Sequence, residues 1–241
     1  PRILKKCRRI ITVSDFELGN IKQKLQLPDS QLKMIYNGYN EWFRPIENDK
    51  QQYRKYIADA GYFFFLGNTD PKKNTERTLV AYAKYLELSE VKRPLLMADL
   101  DQEYLNGIIE RNGIEAIRDH IVIPGYIINS DLPYIYNNAF AFLYTSLRES
   151  FGIPLLEAMA CGTPVITSNK SSMPEIAGHD AILINPESSD EIALKMLQLE
   201  RDTDFYQRQK AVGLERAKLF SWRKTTENLL RLYEEVYKEI K

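Results

Sequence analysis

The sequence predicts an α/β fold, a doubly wound parallel sheet with helices on both faces. Two observations carry that expectation. Short apolar runs alternate with segments of helical period along most of the chain, and such alternation builds parallel strands joined by crossover helices. Size and balance agree. Of 241 residues, 44% are hydrophobic and 27% charged, which suits a packed core in one or two domains and not a disordered chain.

Strands are expected at Ile10–Val13, Lys33–Tyr36, Tyr62–Leu66, Pro94–Ala98, Ile121–Ile123, Ala139–Tyr144, Pro164–Thr167 and Ala181–Ile184. Helices are expected between them, near 15–25, 74–88, 102–113, 130–138, 153–160 and 188–200. From 203 to 240 the pattern is helical, with a break near Ser221 and Trp222. The stretch Asn40–Gln52 is polar, contains Pro45 and reads as a boundary. Two strands and one helix before it are too little to bury a core alone. The about 170 residues after it suffice for one doubly wound domain.

Composition narrows the function. A formal net charge of zero gives no footprint for nucleic acid. The longest apolar runs, such as Tyr62–Leu66 and Ala139–Tyr144, are too short to cross a bilayer. Cys7 and Cys161 stand in unrelated contexts, which fits a reduced, cytoplasmic compartment. Arg2, Lys5, Lys6, Arg8 and Arg9 form a basic cluster, either a solvated helix face or a membrane-surface contact. The chain starts at Pro1, directly in that cluster, so an upstream part is expected to be absent.

The stretch Ser146–Ile166 carries the most chemistry. Glu149 and Glu157 stand eight residues apart, with Gly152 and Pro154 between them. Glycine permits close backbone approach and proline suits a first helical turn. A helix is therefore expected to start here, with unpaired N–H groups and a positive dipole end that suit phosphate. Glu157 could accept hydrogen bonds from two ribose hydroxyls, and Glu149 from a sugar ring. The competing reading is a capping box from Ser146 to Glu149. It would put Gly152 and Pro154 inside a helix, where both are unfavourable.

Three further segments follow strand ends, where open α/β sheets bind ligands. In Phe65–Asn74 a strand closes at Gly67, a turn passes through Asn68, and Lys72 and Lys73 precede a helix. The two lysines could neutralise a diphosphate as point charges; they read equally as solvated lysines, and P-loop spacing is absent. Gly125-Tyr126-Ile127-Ile128 is either a backbone edge for a base or an ordinary tight turn. Asp99 and Asp101 could hold a divalent cation or cap a helix. His120 and His179 are isolated, and Cys161 reads as a small packed residue.

Taken in order, these segments resemble the retaining glycosyltransferases of family 4, whose GT-B architecture sets two Rossmann-like domains face to face. Ile10–Phe16 (IITVSDF), Ile35–Asn40 (IYNGYN), Gly67–Asn74, Gly125-Tyr126, Glu149–Gly152, Glu157–Val165, Pro174–Gly178 and Phe220–Trp222 follow the family's order. The Pro71–Asn74 and Phe220–Trp222 pieces look most like a bacterial mannosyltransferase-like branch. The resemblance implies that 1–42 end an acceptor-side domain with its crossover. It implies a Rossmann-like donor-binding domain over 43–219 and a helix over 220–241 packing back toward the first domain. It also implies that Glu149 contacts donor-sugar hydroxyls and Glu157 the ribose. Backbone N–H groups of Phe151, Gly152 and Ile153 would face the sugar and diphosphate, and Lys73 would bind phosphate. Lys73 and Glu149 would then be the catalytic residues, with Gly67, Asn68, Lys72, Tyr126 and Ile127 lining the donor.

The implied donor is GDP-mannose or a UDP-sugar, and the implied acceptor is a glycan or lipid-linked sugar. No cofactor and no metal are expected. The implied location is cytoplasmic, with peripheral contact at the inner membrane face. One departure is Asn68, where many members carry arginine; Lys72 is expected to supply that charge. The other is length. Without most of an acceptor-side domain the chain is expected to be inactive alone, with a stripe of Leu229, Leu232, Val236 and Ile240 short of a partner. A nucleotide-sugar epimerase and a non-catalytic nucleotide-sugar-binding module are the alternatives.

Overall fold

The computed structural model describes residues 4–47 and 51–241; Arg2 of the basic cluster and residues 48–50 of the polar boundary lie outside the described residues. Six strands form one sheet: β3 (Tyr62–Leu66), β4 (Leu95–Ala98), β5 (Ile121–Val122), β6 (Ala139–Tyr144), β7 (Val165–Ser168) and β8 (Ile182–Ile184). Their order is β5-β4-β3-β6-β7-β8 and every neighbouring pair is parallel. The chain winds outward from β3 in one direction and from β6 in the other. The reversal opens a crevice at the carboxyl ends of β3 and β6, where doubly wound sheets bind ligands.

The alternation of side chains along β3 explains the two layers. Tyr62 and Phe64 face a core shared with Ile135 of α4 (Leu132–Asn138) and Leu155 of α5 (Ile153–Ala160). Phe63 and Phe65 face the opposite core, shared with Leu79 of α2 (Thr75–Leu88), Leu105 of α3 (Gln102–Asn112) and Ile192 of α7 (Ser189–Arg201). Both faces are covered, as the sequence predicts for a parallel sheet.

A small N-terminal unit stands beside this sheet. β1 (Ile10–Thr12) and β2 (Leu32–Met34) pair in parallel across α1 (Asp15–Leu25). Their own core is only Ile10, Leu27 and Leu32 with a few partly buried neighbours. The unit leans on α9 (Trp222–Ile240): Thr225 Oγ1 donates to the Tyr36 carbonyl at 2.7 Å, and Arg9 pairs with Glu239.

Most expected elements appear within one or two residues of their predicted ends. The 102–113 helix stops at Asn112 because Gly113 takes the left-handed conformation, φ 61°. The long C-terminal pattern divides into α8 (Thr203–Ala217) and α9, the latter capped by Ser221. The short α6 (Met173–Ala177) has too little periodicity for the sequence to show it. The expected unpartnered stripe on α9 needs correction. Leu232 is 3% exposed and Leu229 and Val236 are partly covered, whereas Ile240 stays 59% exposed. Among the described residues no helix is long and apolar enough to cross a membrane.

Candidate functional site

The loops after β3 and β6 meet at the crevice. After β3, Asp70 caps a single 3₁₀ turn, Pro71–Lys73, by accepting from the Lys72 N–H at 3.0 Å. That turn aims its two lysines apart. Lys73 reaches inward, with Nζ 2.7 Å from Glu149 Oε1 and 5.4 Å from the Tyr144 ring centroid. The Lys73 and Glu149 side chains are 19% and 14% exposed. Lys72 is half exposed and turns back to Asp70 Oδ2 at 3.0 Å, a contact that holds its ammonium above the usual lysine range. Its carbonyl instead ties the two loops together, accepting from Leu147 N–H at 2.7 Å. Of the expected pair of lysines, Lys73 is the one that bonds Glu149, while Lys72 pairs with Asp70 and feels the Glu149 carboxylate only through its charge.

The loop after β6 holds Glu149 on every side. Its carboxylate accepts from Lys73 and, at 2.9 Å, from Ser146 Oγ. Its N–H donates to Ser171 Oγ at 3.0 Å, and its carbonyl accepts from Ser172 Oγ at 2.9 Å. The capping box fails here. Ser146 and Glu149 do bond, but they lie in a loop, and the helix begins at Ile153. Gly152 opens it at φ 96°, a left-handed conformation that favours glycine; a Cβ there would press only on the flexible end of Met173, 2.7 Å away. The N–H groups of Phe151, Gly152 and Ile153 meet no acceptor among the described residues. Three donors and the positive end of α5 thus follow directly after Glu149, the partner of Lys73, an arrangement that favours an anion.

Glu157 lies one helical turn beyond Ile153. Its carboxyl is largely buried, and Tyr136 Oη donates to it at a long 3.4 Å. Burial raises its pKa to about 7, against a smaller lowering by the Tyr136 bond. Loss of water penalises the charged form, and one weak bond does not offset it. The carboxylate has unused acceptor capacity for hydroxyl donors.

The other expected lining residues divide by role. Gly67 is needed because a Cβ would fall 1.9 Å from the Phe65 ring. Asn68 spends its side chain locally, accepting from the Asp70 N–H at 2.9 Å, a turn-building bond. Tyr126 is 65% exposed beside Gly125, whereas Ile127 is 5% exposed and buries its side chain in the core. Ile127 can thus offer a ligand only its backbone. Asp101 caps α3 by accepting from Tyr104 N–H at 2.8 Å, and among the described residues no cluster of three or more acidic, histidine or cysteine groups is set to hold a metal. Cys161 is packed, and burial pushes its thiol well up, which removes it as a nucleophile.

Sequence reasoning missed the supports: Ser171, Ser172, Tyr136 and Tyr144. Their signals were weak, a Ser-Ser pair before Pro174-Glu175 and two aromatics inside apolar runs. It also missed the contact between the N-terminal unit and the site. Glu175 accepts from the Asp15 and Phe16 N–H groups at 2.8 and 3.2 Å, and Ser14 Oγ donates to the Ser150 carbonyl at 2.7 Å. Burial, helped by the Glu175 carboxylate, pushes the nearby Tyr36 hydroxyl up to about 12. Two clefts lie elsewhere: one of about 780 Å³ between Trp42–Glu47 and the start of α4, the other of about 700 Å³ between α6 and α8. Neither is lined by Lys73, Glu149 or Glu157.

Known proteins resemble this chain in sequence and in fold. The chain is 31% identical over 238 residues to O-antigen chain mannosyltransferase B of Escherichia coli, covering 95% of this chain and 61% of that one. Among solved structures, sucrose-phosphate synthase from Thermosynechococcus elongatus superposes with a TM-score of 0.84 at 22% identity, over 99% of this chain and 60% of that one. Anabaena HepE in complex with UDP and glucose superposes with a TM-score of 0.82 at 18% identity, over 95% and 63%. The chain thus spans about three fifths of these relatives, and the structural likenesses show the GT-B fold. Residues 46–216 match the family described as glycosyl transferases group 1. The chain belongs to that family of glycosyltransferases.

Proposed function

We propose that the chain is the donor-binding half of a retaining hexosyltransferase. It takes a sugar from a nucleotide-diphosphate sugar, GDP-mannose first and a UDP-sugar second, to a glycan or lipid-linked acceptor. One observation carries the reading: Lys73 and Glu149 pair at the switch point, beside three unpaired N–H groups and one helical turn from Glu157. In this reading the N–H groups and Lys73 hold the diphosphate, Glu149 takes sugar hydroxyls and Glu157 takes the ribose. The Escherichia coli mannosyltransferase supports mannose, and the UDP in Anabaena HepE supports the second donor. The division into 1–42, 43–219 and 220–241 belongs to the same proposal, as does a cytoplasmic place at the inner membrane face, where Lys6 and Arg8 are exposed.

In transfer, the bond from the anomeric carbon to the β-phosphate oxygen breaks and its electrons pass to that oxygen. The acceptor hydroxyl attacks on the same face and gives its proton to the departing phosphate. Groups aimed at charge growing on the diphosphate stabilise this step. A helix end contributes about 0.3–2 kcal/mol, while enzymes lower barriers by roughly 8–23 kcal/mol. The crevice therefore positions the donor, and transfer needs an acceptor-side wall as well; these residues alone bind donor without turning it over.

Calorimetry of the 241-residue chain with GDP, UDP, ADP and their nucleosides tests this. One diphosphate should bind at least roughly tenfold more tightly than its nucleoside; equal binding of all six would remove the diphosphate site. Glu157 adds a pH test. Its folded pKa of about 7 lies above the ordinary 4.5, so its protonated form favours the fold, a contribution complete at low pH and lost as pH rises toward 7. Ribose hydroxyls donating to the carboxylate favour the ionised form instead. Diphosphate affinity should thus rise from pH 6 to pH 8 with release of a proton, and Glu157→Gln should flatten that rise. A parent profile as flat as the variant's would place the ribose elsewhere.

A further inference from the structure

Consecutive peptides of the loop after β6 are held from two directions. Ser172, at the start of α6, donates to the Glu149 carbonyl at 2.9 Å and contacts the Phe151 carbonyl at 3.4 Å. The carbonyl between them, that of Ser150, is held from the N-terminal unit by Ser14 Oγ at 2.7 Å. A trans peptide is planar, with its C=O and N–H opposed, and no cis bond occurs among the described residues. Drawing the Ser150 carbonyl toward α1 therefore aims the Phe151 N–H the opposite way. That N–H meets no acceptor among the described residues, and it belongs to a residue that is 4% exposed as a whole. Buried N–H groups without partners are rare unless something from outside completes them.

The helix that carries Ser14 is itself fixed to the site. Glu175 holds its first turn by two backbone N–H groups, from Asp15 at 2.8 Å and Phe16 at 3.2 Å. Glu17 accepts from Arg148 at 3.0 Å and from Ser150 Oγ at 3.3 Å. Ser14 also caps the helix, accepting from the Glu17 N–H at 3.2 Å. One hydroxyl thus serves both the helix start and the loop.

We propose that Ser14 is a positioning residue for the donor: it sets the Ser150–Phe151 peptide so that the Phe151 N–H faces the diphosphate or sugar oxygens, while Glu175 seats the helix that carries it. The proposal rests on the donor-site reading above. It makes the placement of the N-terminal unit legible to the donor loop. A displacement of α1 by the length of one hydrogen bond frees the peptide to rotate and withdraws one donor from the ligand.

The discriminating variants are Ser14→Gly and Ser14→Thr. Glycine keeps most of the capping, at a cost of a few tenths of a kcal/mol, but has no hydroxyl; threonine keeps cap and donor. The full chain is titrated with GDP, guanosine, UDP and uridine, and hydrogen exchange at the Phe151 amide is followed with and without GDP or UDP. Ser14→Gly should bind the preferred diphosphate roughly fivefold more weakly, the worth of one hydrogen bond, with nucleoside affinity unchanged. The diphosphate should slow exchange at Phe151 in the parent and in Ser14→Thr but not in Ser14→Gly. Parent-like diphosphate affinity in Ser14→Gly, or equal losses for diphosphate and nucleoside, would overturn the proposal. If Lys73→Ala also leaves the diphosphate-to-nucleoside ratio unchanged, the donor-site reading falls with it. If Lys73→Ala shifts that ratio while Ser14→Gly does not, only the role of Ser14 falls.

Discussion

Replacing Lys73 with alanine should weaken diphosphate binding by roughly ten- to hundredfold, the worth of about 1.5–3 kcal/mol for a hydrogen bond to a charged group. Nucleoside affinity should change less than twofold. An ammonium carries three donors, and Lys73 commits one to Glu149 at 2.7 Å. The others remain for phosphate oxygens. Alanine removes them and also leaves the Glu149 carboxylate, 14% exposed, without its counter-charge in front of an incoming dianion. Loss and repulsion act in the same direction, which makes this the largest single effect on binding. Lys73→Arg should recover part of the affinity, since the charge returns with a different reach. Lys72→Ala should cost less than about threefold, because that ammonium is half exposed and paired with Asp70. Calorimetry with GDP and guanosine separates the cases. Equal losses for both ligands in Lys73→Ala would mean that the lysine supports the fold of the crevice and does not touch phosphate.

That contrast also shows how far the sequence could be read. The β-α alternation exposed six buried parallel strands and the loops at their carboxyl ends, since burial on two faces forces continuous apolar runs. Gly152 and Glu157 stand out in the sequence, one with Pro154 at a helix start and the other a carboxylate in an otherwise apolar helix; the lysine pair stands where the dipole disfavours cations, and Glu149 shows only by its place before that helix. The difference between Lys72 and Lys73 was not legible. It depends on a 3₁₀ turn that sends neighbouring side chains apart, and composition does not encode that turn. Likewise the bond by which Asn68 Oδ1 builds the turn has no signal in the sequence. The serines around Glu149 were invisible for a related reason. They act through backbone groups 22 and 23 residues away, and such pairings are set by how α6 packs, not by any periodicity. The link from α1 to the loop spans 136 residues and has no local signature.

Gly38→Ala should be the most disruptive small change outside the crevice. A Cβ at Gly38 would lie 2.0 Å from the Trp222 nitrogen and 2.3 Å from the Ser221 carbonyl carbon. Those are backbone atoms at the first turn of α9, so no rotamer change relieves the overlap. Forcing a methyl into such a contact costs about 1–3 kcal/mol, which for a chain of this size lowers Tm by roughly 3–10 °C. If α9 yields instead of the whole fold, trypsin should cut at Arg223 and Lys224 sooner than in the parent. The effect should reach the proposed donor loop. Tyr36, two residues before Gly38, packs against Phe220 at 5.3 Å and against Phe151 at 6.0 Å between ring centroids, and Phe151 and Phe220 also stand 6.0 Å apart. Three rings therefore join the crossover, the start of α9 and Phe151, whose N–H meets no acceptor among the described residues. Loosening that joint should weaken diphosphate binding along with stability, whereas a change confined to the exposed end of α9, such as Ile240→Ala, should do neither. A Gly38→Ala chain with parental Tm, cleavage and diphosphate affinity would mean that α9 and the crossover do not pack this closely in solution, and the ring cluster would lose its part in holding the loop.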